Sequence, residues 1–208
     1  MIRSTDTRFP GFDLIWMLRD PLRDDTFRAD FDDSDAELLR LTGYNLVPPP
    51  MQPVEISYGD GGPMPGDVVW SLGSMPPFVS DRITALLRAN HIGGWDSFRV
   101  QLRDKCGGLH ANYNRLMITA NPCGPVDWRK GQVFERTEVP RGRSYRGGWF
   151  DPSTWDGSDV FRSERGGWIF VVQRVRDLFR DAAIDNVEFV QFTEFEMPEF
   201  ILKFHQAE

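Results

Sequence analysis

One order of turn breaks and apolar spacing occurs twice along this chain, and it constrains the fold more than any other feature. In the first occurrence GDVVWSL (66–72) reads as a strand. It is followed by PPFVSDRITALLRANHI, from Pro76 to Ile92. There Ile83, Leu86 and Leu87 hold the i, i+3, i+4 spacing of one helical face, and Ser80 stands at the N-cap position. Arg82 and Arg88 fall on the opposite side. After Gly93 and Gly94, DSFRVQL alternates as a strand, with Phe98, Val100 and Leu102 on one face. The order returns in GSDVFRSERGGWIFVV (157–172), QRVRDLFRDAAI and NVEFVQF (186–192). Aligned, Phe78 falls on Phe170, Val79 on Val171, Arg82 on Arg174 and Ile83 on Val175. Leu86 then meets Leu178, Leu87 meets Phe179, Arg88 meets Arg180 and Ile92 meets Ile184. Gly93, Gly94 and Trp95 are extra in the first copy, after which Phe98 meets Val187 and Val100 meets Phe189.

The expected fold is therefore α+β, with two similar strand–helix–strand units packed on a mixed or antiparallel sheet. The halves span 66–104 and 157–195 within one domain, 66–208. Residues 1–65 form an irregular, acidic and Pro/Gly-rich N-terminal segment packed on that core. A chain of 208 residues buries roughly 70% of its unfolded surface, so one compact unit needs no staples. Outside the repeat, FDLIWMLRD (12–20) is a buried strand or short helix. Ser34 and Glu37 carry the spacing of a capping box, so a short helix begins near 34. The density of Pro and Gly over 47–66 forbids a helix, with VEISY (54–58) a strand between the breaks. VFERTEV (133–139) alternates like a hairpin strand, PRGRSYRGG (140–148) is a basic, turn-rich stretch, and Asp151 is placed to cap a tight turn in DPSTWDG.

Charge narrows the function classes. The formal net charge of -7 opposes direct nucleic-acid binding, which needs clustered Lys and Arg to release counterions. It suits a basic protein partner, because complementary fields raise on-rates. From Asp13 to Glu37 nine acids stand against three Arg. The candidate partner-binding residues are Asp24, Asp25, Asp32, Asp33 and Asp35, together with Trp149 in its polar, Gly-rich setting. No stretch reaches the ~18 apolar residues of a membrane span, and the N-terminus lacks a signal-peptide core. A cytoplasmic protein with Cys106 and Cys123 reduced is expected. Two Cys and three scattered His (His91, His110, His205) show no ligand spacing, so neither metal nor cofactor is expected. No nucleophile elbow, phosphate loop or dinucleotide fingerprint occurs. Cys106 and His110 in KCGGLHANYN are the nearest approach to a thiolate pair. A hydrolase using scattered carboxylates, and an interaction module with a regulatory role, are the alternatives to a binding protein.

Three runs in order, GPVDWRKG (124–131), WFDPSTWDGSDVFRS (149–163) and WIFVVQRVRDLFRDAAIDNVEFVQF (168–192), resemble immunity protein family 11 of bacterial polymorphic toxin systems. FVSDRITALLRANHI resembles that family's upstream helix, so the likeness covers about 66–195. The chain departs from the pattern at Gly131, where Ser usually follows the Lys, and at Val172 and Gln173, which replace a usual Ser-Glu. The resemblance implies a non-enzymatic protein made alongside a cognate toxin, which it neutralises by covering the active site or another toxin surface. Acidic side chains would then stand in for an anionic substrate.

Overall fold

The computed structural model describes residues 11–31, 33–71, 76–137, 139, 141–165 and 167–205. In chain order its first elements are β1 (Ile15–Arg19), β2 (Arg28–Asp30), α1 (Asp33–Gly43), β3 (Val54–Asp60) and β4 (Val68–Ser71). Next come β5 (Phe78–Ser80), α2 (Asp81–Ala89), β6 (Trp95–Arg103), β7 (Leu109–Ile118), β8 (Gln132–Arg136) and β9 (Gly142–Arg146). The chain closes with β10 (Val160–Arg162), β11 (Ile169–Val172), α3 (Gln173–Asp181), β12 (Glu188–Gln191), β13 (Glu196–Pro198) and α4 (Glu199–His205). The fold is α+β and mostly β. It has a four-stranded sheet β10-β11-β1-β12, a three-stranded sheet β13-β9-β8, and a closed barrel β2-β3-β6-β7-β5-β4.

The repeat is visible in the strand registers. Val68 pairs with Val79 and Val69 with Phe78; 92 residues on, Val160 pairs with Val171 and Phe161 with Phe170. Each unit is thus strand–strand–helix–strand. Each admits a fourth strand from elsewhere in the chain: β7 lies between β5 and β6, and β1 lies between β11 and β12. Arg115 of β7 faces Phe78 and Phe98, while Met17 of β1 faces Phe170 and Val190. The register therefore aligns Phe98 with Val190, not Val187, and the constant offset leaves Gly93, Gly94 and Trp95 matched rather than extra. The helix ends agree to the hydrogen bond. Asn90 N–H donates to Leu86 O and Ile92 N–H to Leu87 O, as Ala182 N–H does to Leu178 O and Ile184 N–H to Phe179 O. Both turns pass through a left-handed residue, His91 at φ 51° and Ala183 at φ 48°, the usual way to close a helix.

The two units grip each other reciprocally. Arg82 pairs with Asp67 at 2.5 Å and donates to Ala182 O at the end of the other unit's helix. Arg174 pairs with Asp159 through Nε at 2.6 Å and reaches His91 O at 3.5 Å. Cations at helix C-termini complement the helix dipole, so each arginine stabilises its neighbour's last turn. Val68, Val79, Ile83, Leu87 and Ile92 share one buried cluster with their counterparts Val160, Val171, Val175 and Phe179. Ser80 holds the N-cap backbone position, but its hydroxyl donates to Asp67 at 2.8 Å instead of capping the helix.

Other expectations fare unevenly. Residues 12–20 contain strand β1, and the first helix starts at Asp33, one residue before Ser34. Asp151 caps the turn Pro152–Thr154 through Ser153 N–H. The stretch 140–148 is not only turn: it contains β9, held between β8 and β13 with Ser144 and Tyr145 buried. The boundary drawn at 65/66 falls between β3 and β4, which share the barrel, and β1 is an inner strand of the four-stranded sheet. The N-terminal residues from 11 onward are woven into the four-stranded sheet and the barrel. An aromatic core around Phe12, Phe150, Phe161, Phe170 and Phe192 fills the space beside the four-stranded sheet. The barrel is filled by Phe27, Ile56, Phe78, Val100, Leu102 and Met117 among others.

Candidate partner-binding face

The acidic N-terminal segment is divided between elements. Asp24 and Asp25 lie exposed on the turn joining β1 to β2, and Asp35 lies on α1. Asp33 is the first residue of α1, and Asp32 lies outside the described residues. Trp149 sits apart from them. It is half-buried against the aromatic core, bridged through its backbone to Asp127, with the Lys130 ammonium 3.3 Å from its ring centre. Such a cation over indole stabilises the local fold.

The β1–β2 turn is a rigid ridge. Asp20 accepts Leu22 N–H at 2.8 Å and Arg28 Nε at 2.9 Å. Arg28 also reaches Asp60 at 3.4 Å and Arg23 O at 3.2 Å. These partners raise the Arg28 pKa, the Asp20 hydrogen bond being the largest cause. Behind the turn, the β3–β4 connection packs so closely that only glycine fits. A Cβ at Gly61 would stand 1.9 Å from Thr26 O, and one at Gly62 would stand 2.2 Å from Asp25 O. Tyr58 O–H donates to Gly61 O at 2.8 Å and pins that connection. From the side, Arg23 reaches Asn186 in the α3–β12 turn at 3.3 Å.

Leu22 crowns this ridge. It holds a left-handed backbone, φ 53°, and its side chain is 68% exposed. A bulky residue in that conformation is strained, and strain held by surrounding structure collects at functional positions. Asp24 and Asp25 follow it on the same turn, with Asp25 3.7 Å from Arg23 Nε, and the exposed Met64 stands on the adjoining connection. An apolar tip beside carboxylates on a preorganised turn can enter an apolar pocket with a basic rim. The acidic composition pointed to this turn, but Leu22 was missed. The Asp20-Pro21 dipeptide, a turn-initiating signal, was the available clue.

The other candidate chemistry resolves differently. Asp104, in the β6–β7 turn, accepts His110 Nε2 at 2.8 Å, Gly108 N–H at 2.8 Å and Cys106 N–H at 2.9 Å. These bonds, His110 first, hold its carboxyl below the usual range. No hydrogen bond links the exposed Cys106 thiol to His110 among the described residues, so the imidazole is bound to a carboxylate in a turn. Both cysteines are free thiols, and burial pushes Cys123 up to about 12. The sign of the Asp104 shift predicts a pH dependence. A depressed carboxyl stabilises the turn above the unfolded value of about 4 and loses that contribution as pH falls through the lower folded value. The amide resonances of Cys106 and Gly108 should therefore titrate together with a midpoint below about 4. A midpoint at or above that value would contradict the arrangement.

No helix among the described residues is long and apolar enough to cross a membrane. No protein-family model matches the chain, and no curated protein matches it.

Proposed function

We propose that this protein is an immunity protein: it binds a cognate bacterial toxin and neutralises it by occluding the active site or another functional surface. The observation that carries this reading is the ridge, where strained, exposed Leu22 stands between locked backbone and two exposed carboxylates. The sequence resemblance over 66–195 and the net charge of -7 support it from separate directions. Binding hot spots form where an anchor side chain enters a desolvated pocket within a ring of weaker contacts. Leu22 supplies the anchor, and Asp24 and Asp25 supply steering toward a basic partner.

The test is co-expression with the product of the adjacent gene. Growth is restored by the wild-type protein if the proposal holds; toxicity unchanged by its expression contradicts it. Once a toxin is in hand, Asp24→Arg with Asp25→Arg is expected to slow association about tenfold or more at low salt, the difference shrinking as salt is added. Stopped-flow association rates at two ionic strengths check this. Equal rates at low salt would remove the steering role.

A further inference from the structure

The interior of the barrel holds a charge that no carboxylate among the described residues pairs with. Arg115 lies on β7 between Tyr113 and Met117, both of which pack in the barrel core, and its side chain is fully buried. Its guanidinium covers the Phe78 ring at 4.7 Å, and Nη2 donates to Leu39 O of α1 at 3.4 Å. Nε and Nη1 have no partner among the described residues. Three of a guanidinium's five N–H groups are therefore orphaned. Burial lowers the Arg115 pKa to about 9, which leaves it charged at neutral pH.

A second arginine repeats the deficiency nearby. Arg162, at the end of β10, is half-buried, donates to Ser163 O at 3.2 Å, and has an orphaned, buried Nε. Its guanidinium lies 5.2 Å from the Tyr44 ring centre. Gly43, next in chain to Tyr44, is so close to Arg115 that an added Cβ would stand 3.3 Å from Nη2. The Gly43–Tyr44 corner thus lies against both cations: Tyr44, whose hydroxyl donates to Gly167 O at 3.3 Å, feels the electrostatic influence of Arg115 and Arg162 as well as that of Arg40. Among the described residues, three of the seven buried side-chain polar atoms without a partner belong to these two arginines. Among the described residues neither makes an ion pair with a carboxylate, Glu164 acting on Arg162 only as a nearby charge. Unpaired buried charge of this kind is strongly unfavourable unless something else supplies the counter-charge.

We propose that Arg115, Arg162 and Tyr44 form a binding site for a small oxyanion, a phosphate or a carboxylate, at the α1 end of the barrel. Guanidinium groups present paired donors that match the oxygen spacing of such anions. The half-buried Arg162 forms the outer side of the site and Arg115 the inner. This proposal stands independently of the toxin reading.

The experiment is calorimetric titration and thermal melting of the full chain with inorganic phosphate and, separately, acetate, each against sodium chloride of matched ionic strength. The expected result is saturable binding of at least one anion, with melting raised by about 5–10 °C at a hundredfold excess over Kd. In Arg115→Met the anion response disappears while the anion-free protein melts no lower than wild type, since an apolar side chain replaces an uncompensated charge. In Arg162→Gln, at a half-buried position, affinity falls at least tenfold while the anion-free protein keeps a cooperative melt. A wild-type protein that responds to neither anion beyond the chloride control overturns the proposal. So does an unchanged response in Arg162→Gln, whatever the fate of Arg115→Met.

Discussion

Gly94→Ala is expected to lower stability by about 2–5 kcal/mol, while Gly93→Ala, one residue away, changes it by less than about 1 kcal/mol. Gly94 holds φ 88°, where an L side chain costs about 1–2 kcal/mol. Its added Cβ would stand 2.1 Å from Val160 O and 2.7 Å from the Ser158 side chain. Neither obstacle is the end of a flexible side chain, so backbone must move, at an overpacking cost of about 1–3 kcal/mol. At Gly93 the nearest atom is Asp159 Oδ2, 3.7 Å away, an ordinary contact. The contact belongs to the reciprocal junction of the two units. Its counterpart places Asn186, φ 56°, against Gly66, where a Cβ would meet the Asn186 amide at 2.1 Å. Each half of the junction keeps one glycine, on opposite partners. Thermal melts of the two alanine variants check the prediction: a 208-residue chain should lose about 5–20 °C for Gly94→Ala and almost nothing for Gly93→Ala. Equal losses would mean that the close approach does not carry the junction.

Phe150→Ala is expected to cost about 3–5 kcal/mol. Phe150 is fully buried, and its ring lies 4.7 Å from Phe12, 5.9 Å from Phe192, 6.0 Å from Phe161 and 6.3 Å from Phe170. Those neighbours come from both ends of the chain and cannot collapse together into the space without disturbing β10 and β11. Removing the ring therefore leaves a cavity as well as lost transfer energy. Phe150→Leu, which keeps most of the volume, should cost less than half as much. Denaturant melts measure both, and a Phe150→Ala loss under about 1 kcal/mol would show that the aromatic cluster is loosely packed.

The helices of the repeat were legible because their apolar faces are one-sided: Ile83 and Leu87, like Val175 and Phe179, are buried while the arginines reach out. The strand that completes the first unit was not legible. In β7 both faces are covered from Tyr113 onward, one by the barrel core and one by the shared cluster, while Leu109 to Asn112 lie at the surface, so LHANYNRLMI shows no alternation, and buried Arg115 and Asn114 disguise it further. For β9 the misleading signal was composition. GRSYR reads as turn, yet pairing on both sides and the burial of Ser144 and Tyr145 make it a strand. The register of β6 against β12 was misjudged because the two glycines at 93 and 94 look like an insertion; the sheet pairings show loops of equal length. Charge singled out the Asp24–Asp25 turn as a candidate face. The left-handed backbone at Leu22 is a local property, its N–H held by Asp20 two residues before it, whereas the packing of Gly61 and Gly62 on Thr26 and Asp25 joins segments far apart in sequence.

Leu22→Asn separates binding from folding at the ridge. Asparagine accepts the left-handed backbone more readily than leucine, so the variant should melt at or above the wild-type temperature while losing the apolar tip. The deciding measurement is the affinity of purified wild-type and Leu22→Asn protein for the product of the adjacent gene, the partner that the proposed function names. Loss of a central anchor is worth about 2 kcal/mol or more, so the account predicts affinity at least about thirtyfold weaker with the fold intact. Unchanged affinity in a fully folded Leu22→Asn protein would contradict it.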